Sequence, residues 1–295
     1  MNSPPKSPLL SEGYIHLKSV ISEITANAAR KHLINTYKNE HFSFIEKGIF
    51  QEYTSAEPWP HNPDVLNRIL KALPNISIFD ACTCYGSVRV EDRLHSSILN
   101  LVLNQNELIE QLKPIFDFES ELFCHLAPAV RVIYPGNIVA VVPNHIDAGY
   151  NSHIHLKNKK KNDLINHLPF VTAWIPLQGF SSLHGGLRLY PRTFIESTVL
   201  NDHTKSLWIP PQQSSNANSI VPDYSIGDCI IFHPRLLHGS SPNLAHPNKN
   251  KLLDTSVRVS VDIRIFSKHS STTKHYMSLL TGECYAPGEG PCALY

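Results

Sequence analysis

Hydrophobic and polar positions change rhythm once along the chain. Up to about residue 126 apolar residues recur at helical spacing, and beyond it they alternate or form short apolar runs between turn residues. "ISEITANAARKHLINTYK", Ile21 to Lys38, predicts a helix with Ser22 as its cap and Glu23 near its start. "NPDVLNRILKAL", around Asn62 to Leu73, predicts a second, with Asn62 as cap and Pro63 in the first turn. "SSILNLVLNQNELIEQLKPIF" predicts a third from about Ser97 to Leu112, ended by Pro114.

After Ala127, "AVRVIYPGNIVAVVPNHID" reads as two β-rich runs around a Pro-Gly turn, and "PFVTAWIPLQG" and "GGLRLYPRT" as strands separated by a loop. "YSIGDCIIFHPRLLHGSSPN" opens on a Gly-Asp turn and continues through an apolar strand. "SVRVSVDIRIF" alternates most cleanly: Val257, Val259, Val261 and Ile263 face one way, and Arg258, Ser260, Asp262 and Arg264 the other. Proline and asparagine clusters at Pro210 to Pro222 and Pro242 to Lys251 mark loops. Helices first and short strands afterwards predict a mainly β, α+β architecture rather than a parallel doubly wound sheet. A jelly roll with a ligand cavity between two antiparallel sheets fits this layout. The 295 residues are read as one domain: a helical part over 1–126, a jelly-roll core over 127–270 and a C-terminal segment over 271–295.

Composition narrows the function classes. Net charge is +1 with histidine neutral, so no polyanion partner such as a nucleic acid is expected. The one basic run, "KNKKKND" from Lys157 to Asp163, reads as a solvated loop. No stretch approaches the about 18 apolar residues of a membrane span, and "MNSPPKSPLLSEGY" lacks the apolar segment of a signal peptide. The six cysteines include no C-x-x-C and read as reduced thiols, so a cytoplasmic protein acting on a small molecule, without a membrane partner, is expected. Oligomeric state is left open. The 17 histidines raise the question of which do chemistry.

"VVPNHIDAGYNSHIHLK" concentrates metal-binding residue types directly after an apolar run. In a strand, His145 and Asp147 would point to the same face and meet one ion side by side. A third ligand must come from elsewhere, and His238, at the end of an apolar strand before "GSSPN", is the candidate. Two histidines and one carboxylate on one face of an octahedron leave positions open for a cosubstrate and dioxygen, as in non-haem Fe(II) oxygenases.

"HIDAGY", "VTAWIPL", "GGLRLYP", "GDCIIFHPRLLHGSSPN" and "RVSVDIRI" occur in the order that resembles phytanoyl-CoA dioxygenase-like Fe(II)/2-oxoglutarate oxygenases, and "SEGYIHLKSVISE" resembles that family's opening strand and helix. The resemblance covers roughly the second half of the chain, with "RVSVDIRI" closest to bacterial members that tailor aminoglycosides and similar natural products. It implies a double-stranded β-helix (jelly roll, cupin-like) with N-terminal and flanking helices, Fe(II) as the metal, and 2-oxoglutarate and O2 as cosubstrates. His145, Asp147 and His238 would hold the iron. Arg258 would pair its planar guanidinium with the distal carboxylate of 2-oxoglutarate, with Ser260 adding a hydroxyl donor and Ser240 contacting the cosubstrate. Thr172 and Trp174, on the neighbouring strand, would line the same pocket. The arginine in this family usually follows the distal histidine more closely, so Arg258 implies a lengthened loop. Arg264 lies on the same face and periodicity does not separate the two; the R-x-S context favours Arg258. The carboxylate Asp147 argues against halogenation, since related halogenases carry a small residue there, and leaves hydroxylation as the default.

The bland readings stand beside these. A lone His145 is an ordinary surface or core histidine, and Arg258 an ordinary polar strand residue. His153 and His155 form an H-x-H similar to a cupin ligand pair, but no cupin-type glutamate follows, so they read as loop residues at the entrance. Together with Tyr150 they are candidate substrate contacts, as are the segments around Trp59 and Trp208. His184 and His233 read as non-ligands, the latter as packing, and scattered cysteines argue against zinc. The rival functions are a non-oxidative cupin-type sugar epimerase or isomerase, and a catalytically silent binding protein on the same fold.

Overall fold

The computed structural model describes residues 8–46, 90–119, 121–126, 128–133, 141–142, 144–157, 168–179, 184–195, 218–243 and 257–293. The expected helix around Asn62 to Leu73, the lysines of the basic run beyond Lys157, Trp59, Trp208 and most of the run after the Pro-Gly turn lie outside these. The helix expected from Ile21 is Glu23–Glu46, its first turn closed by the Ala26 N–H donating to the Ser22 carbonyl at 3.0 Å. The third expected helix is a correction. Its sequence makes two short helices, Ser96–Leu99 and Asn106–Leu112, parted at Asn104, which takes a left-handed φ of 58° and donates its N–H to Leu279. A short polar side chain tolerates that conformation, and the apolar spacing alone does not reveal it. The α-helix does end at Leu112 as expected, and Pro114 sits in the first turn of a 3-10 segment, Lys113–Phe116, where its missing N–H costs little.

Twelve strands are described: β1 (Tyr14–Leu17), β2 (Leu122–His125), β3 (Ala129–Ile133), β4 (Ile154–Leu156), β5 (Val171–Pro176), β6 (Gly186–Phe194), β7 (Cys229–Phe232), β8 (Leu236–Ser241), β9 (Arg258–Ser267), β10 (Ser270–Thr272), β11 (Tyr276–Ser278) and β12 (Cys284–Tyr285). The main antiparallel sheet has the order β1-β7-β5-β9-β2-β11-β12, with β3 also paired to β9. β6 and β8 form a second sheet opposite it, and β4 pairs with β10. This is the jelly roll expected, and its main sheet draws strands from both flanks of the 127–270 segment.

One correction falls on "GDCIIFHPRLLHGSSPN". It folds as two strands, β7 and β8, separated by a turn at Pro234-Arg235, so His238 lies inside β8 and Gly-Ser-Ser continue the strand. Pro234 has no N–H for a ladder and breaks the apolar run. The Gly-Asp turn before β7 is present. Gly227 adopts a φ of 85°, and the buried Asp228 carboxylate accepts from His16, Lys18 and the N–H groups of Ser19 and Ser225, pinning β1 to β7.

The alternation in β9 governs the layers. Val257, Val259, Val261, Ile263 and Ile265 join the large core with Ala173 and Ile175 of β5, Ile231 of β7, and helix residues Ala26, Ala29, Leu33 and Leu108. This face buries the helices against the outside of the main sheet. The opposite face looks toward β6 and β8. Trp174, Ile230 and Phe232 meet Leu187, Leu189 and Leu236 there, and Phe266 closes the far end with Phe123, Phe170 and Tyr276. Between those two apolar groups, β9 presents only polar side chains to the space between the sheets.

Candidate metal centre and cosubstrate cavity

His145 is tied to His238 by an isolated two-way bridge, with N–H to carbonyl distances of 2.8 and 3.0 Å. Their imidazole centroids lie 4.2 Å apart. Asp147 does not extend that strand, which corrects the expectation of an H-x-D pair on one strand face. It is the first residue of a single helical turn, Asp147–Tyr150, whose N-cap Ile146 is still extended. The turn rather than the pleat swings the carboxylate back beside the imidazole. Oδ1 of Asp147 lies 3.9 Å from Nε2 of both His145 and His238. The ligand atoms of the three buried residues all lie within 4.8 Å of one another, a spacing one ion can satisfy from the centre. His238 is oriented by its Nδ1, 2.9 Å from the Leu236 carbonyl, which leaves Nε2 as the metal-facing atom. β8 comes close here, because a Cβ on Gly239 would sit 2.7 Å from Asn144 Oδ1.

Asp147 is held from two sides. The Thr172 hydroxyl donates to Oδ2, and Arg264 Nη2 donates to Oδ1 at 2.8 Å. Burial alone would raise this carboxyl, but Arg264, His238, His145 and the Thr172 hydroxyl together hold it well below the usual carboxylate range. It is therefore ionised and ready to ligate. Thr172 and Arg264, both expected at the cosubstrate, hold Asp147. Arg264 lines the cavity as well, and so does Trp174.

The triad opens into a cavity lined by Arg131, Trp174, Leu187, Phe232, Ser240 and the polar face of β9, among others. At one end lies Arg258, only 2% exposed. Its Nη1 reaches the Ser241 carbonyl at 3.4 Å, and its Nε has no partner. Burial pushes the guanidinium down to about 10, and Arg131 adds to this. The Ser260 hydroxyl beside it is also buried and unpaired. The unpaired Arg258 Nε and Ser260 hydroxyl are two donors buried without an acceptor, with Arg131 and Asp262 also on the cavity wall. Arg131, opposite Ser260 in the β3–β9 register, escaped the sequence reading; the signal was the lone charge in the apolar "AVRVI" run. Ser240 lines the cavity, its hydroxyl accepting the Val142 N–H at 2.6 Å.

The remaining candidates separate. The ring of His153 stacks on His125 at 4.8 Å, and His155 lies not in a loop but on β4, opposite Ser271 of β10. The backbone of Tyr150 closes the helical turn; its side chain is outside the described residues. His233 is packing, as expected: it lies edge-on to Phe194, accepts the Arg235 N–H at Nδ1, and is pushed down to about 4 by burial.

Residues 132–247 match the family model for phytanoyl-CoA dioxygenase. The matched segment is phytanoyl-CoA dioxygenase-like. It is under half of the chain, and it contains His145, Asp147, Thr172 and His238 but not β9 with its arginines. Among solved structures, the non-heme alpha-ketoglutarate-dependent epimerase SnoN from nogalamycin biosynthesis is similar, with a TM-score of 0.51 at 12% identity over 90% of this chain and 82% of that one. The non-heme monooxygenase ThoJ, in its nickel complex, is similar at a TM-score of 0.51 and 13% identity, over 98% of this chain and 85% of its own. At these identities the likeness is one of fold. No curated protein matches the chain. Among the described residues no helix is long and apolar enough to cross a membrane.

Proposed function

We propose that the protein is a non-haem Fe(II)/2-oxoglutarate-dependent oxygenase that hydroxylates a C–H bond of a small molecule of the natural-product type, as a single domain over residues 1–295. The observation that carries this is the pairing of two features in one cavity. A buried His-Asp-His set faces it, and an unsatisfied Arg258 and Ser260 lie at its end. The donor set is right for Fe(II), with two imidazoles, one carboxylate, and space on the remaining side. His145, Asp147 and His238 would hold the metal. Arg258, with Ser260, would take the distal carboxylate of 2-oxoglutarate through two parallel hydrogen bonds, with Ser240 and Trp174 as walls. Arg264 already serves Asp147, so Arg258 is the anchor. When bound, Fe(II) with 2-oxoglutarate and O2 supplies the power to oxidise an unactivated C–H bond. The chain's own contribution is to keep Asp147 ionised, hold both histidines by one backbone bridge, and bury the anchoring arginine so that its pairing with a carboxylate is not screened by water.

The anaerobic titration of apoprotein with Fe(II) and 2-oxoglutarate tests this through the visible charge-transfer band of the chelate. The band is expected in the wild type, absent in His145→Ala and much weakened in Arg258→Ala. No band with Fe(II) bound would overturn the reading. SnoN is an epimerase of this cosubstrate class, so product mass decides the reaction: hydroxylation adds one oxygen, and epimerisation leaves the mass unchanged. The non-oxidative cupin alternative would need His153 and His155 as ligands. Their separate partners, a ring stack and a strand pairing, weigh against it.

A further inference from the structure

The polar face of β9 is cationic at both ends, and only one end is explained by the cosubstrate. We propose that Arg264, His125 and His153 form a second anion-binding subsite at the metal end of the cavity, which takes a carboxylate or phosphate group of the substrate. This deepens the oxygenase reading and rests on it.

The sheet register builds the cluster. Cys124 of β2 lies opposite Ile265 and Thr172 of β5 opposite Arg264, so His125, next along β2, flanks Arg264 on the side away from Thr172. His153, three residues beyond the helical turn that starts at Asp147, stacks on His125 with ring planes 12° apart. His125 is anchored by Thr272, its Nε2 3.0 Å from Oγ1, and serves as the floor. Two polar nitrogens are left over: Nε of Arg264, a donor, and Nε2 of His153, a donor in one tautomer, are both buried without a hydrogen-bond partner. Lys274 adds an exposed positive charge that both rings feel, as they feel Arg264.

Asp147 is the carboxylate that Arg264 touches, and as a ligand it would share its single charge with a divalent ion. Asp262, one step along the face, acts on both Arg264 and Arg131, Arg264 more strongly. A further anion is therefore called for by the two unpaired nitrogens, not by a net excess of positive charge. One molecule of 2-oxoglutarate does not serve both ends. Arg258 and Arg264 are six residues apart on one strand, roughly 20 Å, and a dicarboxylate chelated at the triad has its free end toward only one of them.

The test uses full-length protein loaded with Zn(II) and 2-oxoglutarate, which is diamagnetic and occupies the Arg258 end. Inorganic sulfate is titrated at constant ionic strength and followed by the imidazole NMR signals of His125 and His153. Saturable shifts are expected, with affinity weakened roughly tenfold or more in Arg264→Met, as for loss of a charge-assisted hydrogen bond, and similarly in His153→Phe. The second variant leaves the partner of Asp147 in place and decides the matter if the first does not fold. Shifts that fail to saturate, or equal affinity in His153→Phe and wild type, would overturn the subsite. A missing Fe(II)–2-oxoglutarate band in the wild type would instead overturn the oxygenase reading beneath it.

Discussion

Asp147 shows how much a single side chain here depends on its neighbours. Its two oxygens are divided: one faces the imidazoles and Arg264, and the other accepts from Thr172. The Thr172 hydroxyl thereby fixes the carboxylate's rotation and leaves one oxygen for the metal. Thr172→Val keeps the shape and removes the donor. It is expected to weaken divalent-metal affinity by roughly 10- to 100-fold, the usual cost of losing a hydrogen bond that orients a ligand, while far-UV circular dichroism is unchanged. An affinity within twofold of wild type, by equilibrium dialysis with Mn(II), would show that Thr172 does not position Asp147. The sequence makes the triad legible because ligand residue types cluster next to an apolar run. It does not show the use of Thr172 and Arg264, because that depends on a helical turn rather than a pleat at Asp147. His125 and Arg131 were equally hidden: each is one polar residue in an apolar strand, and only sheet register reveals what it faces.

At the scale of the element, β9 carries two kinds of information on its two faces. The apolar face is core, with Ile263 2% exposed, and the polar face lines the cavity. Substitutions one or three residues apart should therefore fail in different ways. Ile263→Ala is expected to cost about 2–5 kcal/mol of stability, the range for large-to-small changes in a core, with 2-oxoglutarate affinity retained in the folded fraction. Ser260→Ala removes a hydroxyl with no partner in the fold, so it should cost little stability and weaken 2-oxoglutarate binding. Urea unfolding together with cosubstrate titration measures both, and a Ser260→Ala protein with unchanged 2-oxoglutarate affinity would remove Ser260 from the site. Period-two alternation made this strand readable residue by residue. Strand boundaries were less so: the apolar run through β7 and β8 conceals a turn that Pro234 enforces, and apolar spacing over Ser97 to Leu112 conceals the left-handed Asn104.

For the molecule as a whole, burying side chains between its packed layers means folding with two histidines, His125 and His233, held against protonation. Burial, with His153, Arg264 and Lys274 nearby, pushes His125 down to about 3, and burial with Arg235 pushes His233 down to about 4, both from an ordinary value of 6.5. The unfolded chain binds protons on these rings as pH falls below about 6.5, and the folded chain does not until near those lower values. Their contribution is thus fully present above pH 6.5 and is lost progressively toward pH 4, with a slope of about 1.4 kcal/mol per pH unit for each ring. Asp147 and Asp228, both held low, extend the loss below the ordinary carboxylate range. Urea midpoints of the metal-free protein at pH 7, 5.5 and 4.5 should therefore fall steeply. His125→Gln, which does not titrate, should flatten that fall by about one proton's worth whatever it does to stability at pH 7. An unchanged slope in His125→Gln would mean that this ring takes up its proton in the fold as readily as in the unfolded chain, and the stacked His125–His153 pair would then carry charge beside Arg264.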